Sequence, residues 1–212
     1  MQSNKQACIF YIVRHGETEG NVKRLLQGHS DFPLTEKGIK QAQILADKFK
    51  KIHFDHAFSS DLLRAQRTAE IIALEHKLMV RTRKILRERT FGRLEGKPYD
   101  HYERKELRLA VLKFEELSEK EKFSFKFRDD IESDEEIVSR FLIFLREVSL
   151  AFAGKTVLVV SHGGMIRSLL IHLGFGNYKT VPPGAVKNLG YVKLESDGTN
   201  FFIKNTEGIE KV

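Results

Sequence analysis

A three-layer α/β/α sandwich with a mainly parallel central sheet is the fold class that the residues predict. Two observations carry it. Short β-branched runs alternate with stretches of helical period, and no repeat or low-complexity linker divides the chain. The clearest run, Thr156–Val160, is short and fully apolar, as a strand covered on both faces must be.

In chain order, Cys8–Val13 reads as a buried strand that ends at Arg14-His15-Gly16. Thr35 to Lys51 reads as a helix: Thr35 can cap it, and Ile39, Ala42, Ala46 and Phe49 recur near a 3.6 period. Phe54–Phe58 is a short strand. A helix then begins from Ser59-Ser60-Asp61, with Leu62, Ala65, Ala69 and Ile72 on one face. Met79–Arg81 and Ile85–Arg87 are short runs with no assigned type. Tyr99 to about Leu117 carries Leu107, Val111, Phe114 and Leu117 in helical step, and the charged run Glu115 to Lys122 reads as an exposed helix end or loop. Glu135–Phe152 is the next helix, and Gly163–Leu173 follows the Thr156–Val160 strand as another. Leu189–Leu194 and Asn200–Ile203, joined around Ser196-Asp197-Gly198, read as a terminal hairpin.

Composition bounds the class. With 212 residues the chain suits one domain, residues 1–212, with enough Phe, Ile, Leu and Val to build a core unaided. The single cysteine, Cys8, excludes an internal disulfide framework. No apolar run reaches the roughly 18 residues a membrane helix needs, and Met1–Ala7 lacks the pattern of a signal peptide. The expectation is a cytoplasmic protein with no membrane partner. The net charge of +7 invites anionic ligands. The densest basic stretch holds Arg81, Arg83, Lys84, Arg87, Arg89 and Arg93, but no RNA- or DNA-binding motif accompanies it.

Ligands of parallel sheets gather beyond the carboxyl ends of the strands. Three such ends carry chemistry here: Arg14-His15, Ser59 to Arg64, and His162. Arginine's fork of donors suits phosphate oxygens, and a neutral imidazole is a competent nucleophile toward phosphorus. The helix start at His162-Gly163-Gly164 offers free N–H groups to an anion. His53 and His56 have a loosely metal-like spacing but no second cluster to complete a site. His29, His76, His101 and His172 have no arguable partner in the sequence.

The blocks Arg14-His15-Gly16-Glu17-Thr18, Asn21, Gln27-Gly28, Asp31, Pro33-Leu34-Thr35 and Gly38 resemble the signature of the histidine phosphatase superfamily, in its phosphoglycerate mutase-like branch. Ser59–Ala65 with Thr68-Ala69, then Leu86, Glu88, Phe91-Gly92 and Glu95-Gly96, then Val160–Gly164, continue the resemblance in the family's order. It implies that His15 is the nucleophile that becomes phosphohistidine. Arg14 and Arg64 are implied as phosphate clamps, and His162 as the second histidine on the phosphoryl group. Asn21, Gln27, Gly28 and Gly163 complete the implied phosphate-binding set. Glu88 is implied as proton donor to the leaving oxygen and then base for water, which requires a carboxyl that carries a proton at working pH. No metal and no cofactor are implied.

The resemblance leaves two enzymes and a binder to compare. A phosphatase hydrolyses a small-molecule phosphate ester; a phosphoglycerate mutase returns the phosphoryl group to another oxygen; a non-catalytic protein would only hold anions. Mutases of this family typically read Glu-Arg-His-Tyr-Gly from the acid onward, with a lysine three residues beyond a second glycine. Here Thr90 replaces the histidine and Tyr99 stands where the lysine would be, while Glu95-Gly96 resembles the phosphatase form. Phosphatase is therefore the expected activity. In place of a Pro-Gly-Gly-Glu-Ser-like turn the chain has Asp129-Asp130-Ile131-Glu132-Ser133. Residues 99–130 are expected to cover the pocket and set specificity; sugar, glycerate, nucleotide and cofactor-precursor phosphates all stay open as substrates.

Overall fold

The computed structural model describes residues 6–99 and 107–212. Its centre is a six-stranded sheet. The strands are β1 (Cys8–Arg14), β2 (His56–Ser59), β3 (Val80–Thr82), β4 (Thr156–Ser161), β5 (Val186–Ser196) and β6 (Phe201–Ile209), in the order β3-β2-β4-β1-β5-β6. The β3-β2-β4-β1 half is parallel, and β5 and β6 add an antiparallel hairpin at one edge.

The period of two in the apolar runs sends alternate side chains to opposite faces. Cys8, Phe10 and Ile12 of β1 join Val157 and Val159 of β4 in one core. Tyr11 and Val13 join Leu158 and Val160 in the other. Helices α2 (Glu36–Phe49) and α3 (Leu63–Leu74) cover the second face through Leu45, Phe49, Ala65, Ala69 and Ile72. Helices α6 (Asp134–Ala151) and α7 (Gly163–His172) cover the first through Phe141, Leu145, Met165 and Leu169. The other helices among the described residues are short: α1 (Glu19–Val22), α4 (Arg108–Glu116) and α5 (Glu119–Ser124). The sandwich expected from the sequence is the observed fold. Among the described residues no helix is long and apolar enough to cross a membrane.

Local rules set the helix starts. Thr35 accepts the Gly38 N–H at 3.0 Å, and Ser133 with Glu136 forms a capping box at α6. Several expectations need correction. The unassigned run Ile85–Arg87 overlaps a 3-10 turn, Lys84–Leu86, in which Leu86 is fully buried and Arg140 gathers the carbonyls of Ile85 and Arg87, both at 2.7 Å. The helix expected from Tyr99 to Leu117 is α4, ending at Glu116; its expected first part falls largely outside the described residues. The charged run that follows is not only a solvated end. Ser118 and Glu121 form a capping box that starts α5, which turns Lys122 inward to 7% exposure. The terminal hairpin is longer than its apolar pattern suggests, since edge strand β6 pairs through polar residues.

Candidate active site

Parallel pairing aligns the carboxyl ends of four strands at one edge. Arg14 sits opposite Ser161 across β1 and β4, so the residues that follow, His15 and His162, emerge side by side. Their rings lie 5.2 Å apart, edge to face. Arg64 arrives from the first turn of α3, and Glu88 from the segment after β3.

His15 is buried, with Nδ1 2.8 Å from the Gly16 carbonyl. A carbonyl only accepts, so Nδ1 carries the hydrogen and Nε2 keeps the lone pair. Burial, reinforced by the Arg64 and Arg14 guanidiniums, holds the His15 pKa well below the usual histidine value. The same causes, burial first and then Arg64, act on His162. Both imidazoles are therefore neutral near pH 7. Burial also lowers the pKa of Arg14 and of Arg64, but both stay cationic.

The arginines are anchored at one end and open at the other. Arg14 donates from Nη1 to the Val186 carbonyl at 2.6 Å. Arg64, 1% exposed, donates to the carbonyls of Gly28 at 2.6 Å and Ser30 at 2.8 Å. The Nε atoms of both, and both ring nitrogens of His162, are buried with no hydrogen-bond partner among the described residues. An orphaned buried donor costs about 1–3 kcal/mol, so the pocket is built short of acceptors. A phosphoryl group, with its oxygens fanned out, supplies them.

Glu88 overturns one expectation. The N–H groups at the start of α7 are not all free for an anion, because its carboxylate takes two of them. Oε2 accepts from Gly164 at 2.9 Å, and Oε1 from Met165 at 3.1 Å and from Arg89 at 2.8 Å. The paired glycines are required by this packing. A Cβ on Gly164 would lie 2.6 Å from Glu88 Oε1, and one on Gly163 would lie 3.1 Å from Arg14 Nε. Arg140 donates to the Glu88 carbonyl at 3.0 Å, His29 pairs with the same carbonyl at 2.9 Å, and Glu132 binds both Arg140 and the Thr90 amide. Glu132 thus braces the acid's backbone. Sequence reading singled out neither Arg140 nor this bracing.

Asn21, Gln27 and Gly28 line the same cavity, with Arg14, His15, Arg64, Glu88 and Gly163. Asn21 Oδ1 is engaged by Thr18 at 3.0 Å and by Asn188 Nδ2 at 3.3 Å, which leaves the Asn21 amide N–H₂ as its donor group. Asn188, which also donates to the His15 carbonyl at 3.0 Å, was missed in the sequence. It sits in a register shift of β5 between Val186 and Tyr191, where Leu189 adopts φ +58°. An alternating apolar pattern does not announce such a bulge.

The cavity measures about 820 Å³ and extends past His15 to Arg89, Arg167 and Tyr178, with Val111, Phe114, Phe125 and Phe127 along its wall. Of the basic stretch from Arg81 to Arg93, only Arg89 reaches it. Arg87 forks onto Asp61, and Arg81 and Arg83 lie over the Phe58 ring. Among the described residues no three His, Cys, Asp or Glu side chains converge as a metal site, and His101 lies outside those residues.

The family model of the histidine phosphatase superfamily (branch 1) matches residues 10–207. The "Phosphoglycerate mutase-like protein 4" of Arabidopsis thaliana is 39% identical over 165 residues, 74% of this chain and 67% of that protein. The solved phosphoglycerate mutase of Bacillus anthracis superposes with a TM-score of 0.79 at 29% identity, over 99% of this chain and 96% of that one. A phosphoserine phosphatase of Entamoeba histolytica, solved with 3-phosphoglyceric acid, gives a TM-score of 0.77 at 25% identity, over 94% and 96%.

Proposed function

Because the chain belongs to the histidine phosphatase superfamily (branch 1), we propose that it hydrolyses a phosphomonoester through a phosphohistidine on His15. The supporting observation is the set of buried polar atoms around His15 that have no hydrogen-bond partner among the described residues: Arg14 Nε, Arg64 Nε and the two ring nitrogens of His162, one of which carries the N–H of the neutral imidazole. They neutralise the phosphoryl oxygens without a metal, in the way electrostatic preorganisation lowers phosphoryl-transfer barriers.

The neutral His15 Nε2 attacks phosphorus, the ester P–O bond breaks, and Glu88 gives its proton to the departing alkoxide. Water then attacks phosphohistidine, Glu88 takes a proton back, the P–N bond breaks and inorganic phosphate leaves. Glu88 Oε2 accepts only one backbone bond, so it is the oxygen with room for the shuttled proton.

Phosphoglycerate mutation is the second reading, favoured by the likeness to the Bacillus anthracis enzyme. Hydrolysis is preferred because Thr90 turns its hydroxyl onto Glu95 at 3.0 Å, and Tyr99 rather than a cation lines the pocket. Neither fixes a glycerate carboxylate for a second transfer. In this reading segment 99–130 acts as the specificity cap, since Phe114, Phe125 and Phe127 wall the cavity. The test is a phosphate-release screen over a panel of phosphomonoesters, with phosphoglycerate isomerisation assayed beside it. Phosphate release, lost in His15→Ala, is expected. Efficient isomerisation with little free phosphate would reverse the choice.

A further inference from the structure

The far end of the cavity has its own electrostatics. Arg167 lies one turn along α7 from Gly163, and both line the cavity. Four residues of helix advance about 6 Å on one face. Arg167 is held in place: Nε donates to the Val181 carbonyl at 2.7 Å, and the guanidinium sits 5.3 Å from the Tyr178 ring centre. Its terminal amino groups make no hydrogen bond or ion pair among the described residues.

Two of the acids nearby are committed elsewhere. Asp134 pairs with Arg89 and accepts from Ser168 at 2.7 Å and from Tyr178 at 2.6 Å. Glu119 accepts from the Tyr178 amide at 3.1 Å and faces Lys122 at 3.7 Å. Among the described residues Arg167 makes no ion pair, and burial, aided by the Arg89 charge and opposed by Tyr178 and Glu119, pushes its pKa down to about 10. A guanidinium fixed in a cavity with a free fork of donors is a receptor for a planar or tetrahedral oxyanion.

We propose that the alcohol half of the substrate carries a second oxyanion, a carboxylate or a phosphate, that seats on Arg167, while the intervening part lies against Phe114, Phe125 and Phe127. Arg167 is then a specificity residue, not part of the bond-breaking machinery. The inference rests on the phosphatase reading of this cavity.

The test uses matched aryl phosphates with a para carboxymethyl, phosphomethyl or uncharged carboxamidomethyl group, and p-nitrophenyl phosphate as control. Turnover is measured for the unaltered protein, Arg167→Gln and Arg167→Lys. The equivalent benzylphosphonates, which cannot be hydrolysed, are titrated calorimetrically into the same proteins. A charge-assisted bidentate contact should give the anionic esters a KM at least about tenfold below that of the amide. Arg167→Gln should erase that advantage while leaving p-nitrophenyl phosphate within about twofold, and Arg167→Lys should restore part of it. The better of the two anions identifies the oxyanion. An unaltered protein with no preference for anions, or a preference that survives Arg167→Gln, overturns the proposal. If no ester releases phosphate but the phosphonates still discriminate through Arg167, the hydrolytic reading fails and the anion subsite stands.

Discussion

Replacing Glu88 with Gln separates the two jobs of that side chain. In the structure three backbone N–H groups point at its carboxylate, from Gly164 at 2.9 Å, Arg89 at 2.8 Å and Met165 at 3.1 Å. An amide keeps one accepting oxygen and puts N–H₂ where the other stood. At least one backbone donor is stranded, which costs about 1–3 kcal/mol. The negative charge lost from the start of α7 adds about 0.3–1 kcal/mol. Urea unfolding should therefore show Glu88→Gln less stable by about 1–4 kcal/mol. The amide also cannot deliver the proton, a role worth about 10²–10⁴ in rate. The first turnover should slow by that order for an alkyl phosphate, and much less for p-nitrophenyl phosphate, whose leaving oxygen needs no proton. Rapid-quench measurement of the first turnover keeps phosphohistidine hydrolysis out of the comparison. An equal loss on both esters would remove Glu88 from the acid role. Unchanged stability would show that its carboxylate does not hold the start of α7.

The remaining predictions bear on the same pocket. Gly164→Ala places a methyl 2.6 Å from Glu88 Oε1, so it should displace the acid and reproduce the leaving-group dependence of Glu88→Gln in the first-turnover assay. His15 and His162 both have folded pKa values depressed by burial, so below pH 6.5 the unfolded chain binds the protons that the folded chain refuses. Their contribution is intact above that pH and is lost as pH falls, at up to about 1.4 kcal/mol per unit for each histidine. Urea unfolding of the His15→Asn/His162→Asn double variant should show a flatter pH dependence between about pH 7.5 and 5.5, and an unchanged slope would contradict the depressed values. Phosphate release should survive EDTA, because Arg14, Arg64 and His162 are assigned the neutralisation that Mg²⁺ supplies elsewhere; loss on chelation with recovery on adding metal would place the chemistry at another site.

The chemistry was legible in the sequence wherever it lies at the end of a strand. Arg14, His15 and His162 follow runs whose composition marks them as buried strands, whereas the pairing of those two strands as neighbours is seen only in the structure. Arg64 was legible as a helix-start arginine, but its anchoring to the carbonyls of Gly28 and Ser30 was not, because a loop's path has no period. The capping of α7 by Glu88 was hidden for the same reason. It joins residues 76 or more positions apart through backbone N–H groups, which every sequence possesses. Asn188 depended on a strand irregularity, and Arg167 has no sequence signal of its own, because the cavity beside it is built from distant segments.

The central place of β1 has a consequence for how activity is gained during folding. Residues 8–14 form the first strand of the chain, yet both neighbours, β4 at 156–161 and β5 at 186–196, come from its last third. The two histidines cannot meet until that long-range pairing closes, and pairing across such separations is slow compared with local helix formation. A nascent chain still lacking β4 presents β1 with neither flanking partner, its apolar edges open to other chains. Catalytic competence should then return with the last sheet-forming step in refolding rather than with the early gain of helix, so turnover is itself a clock for completion of the sheet.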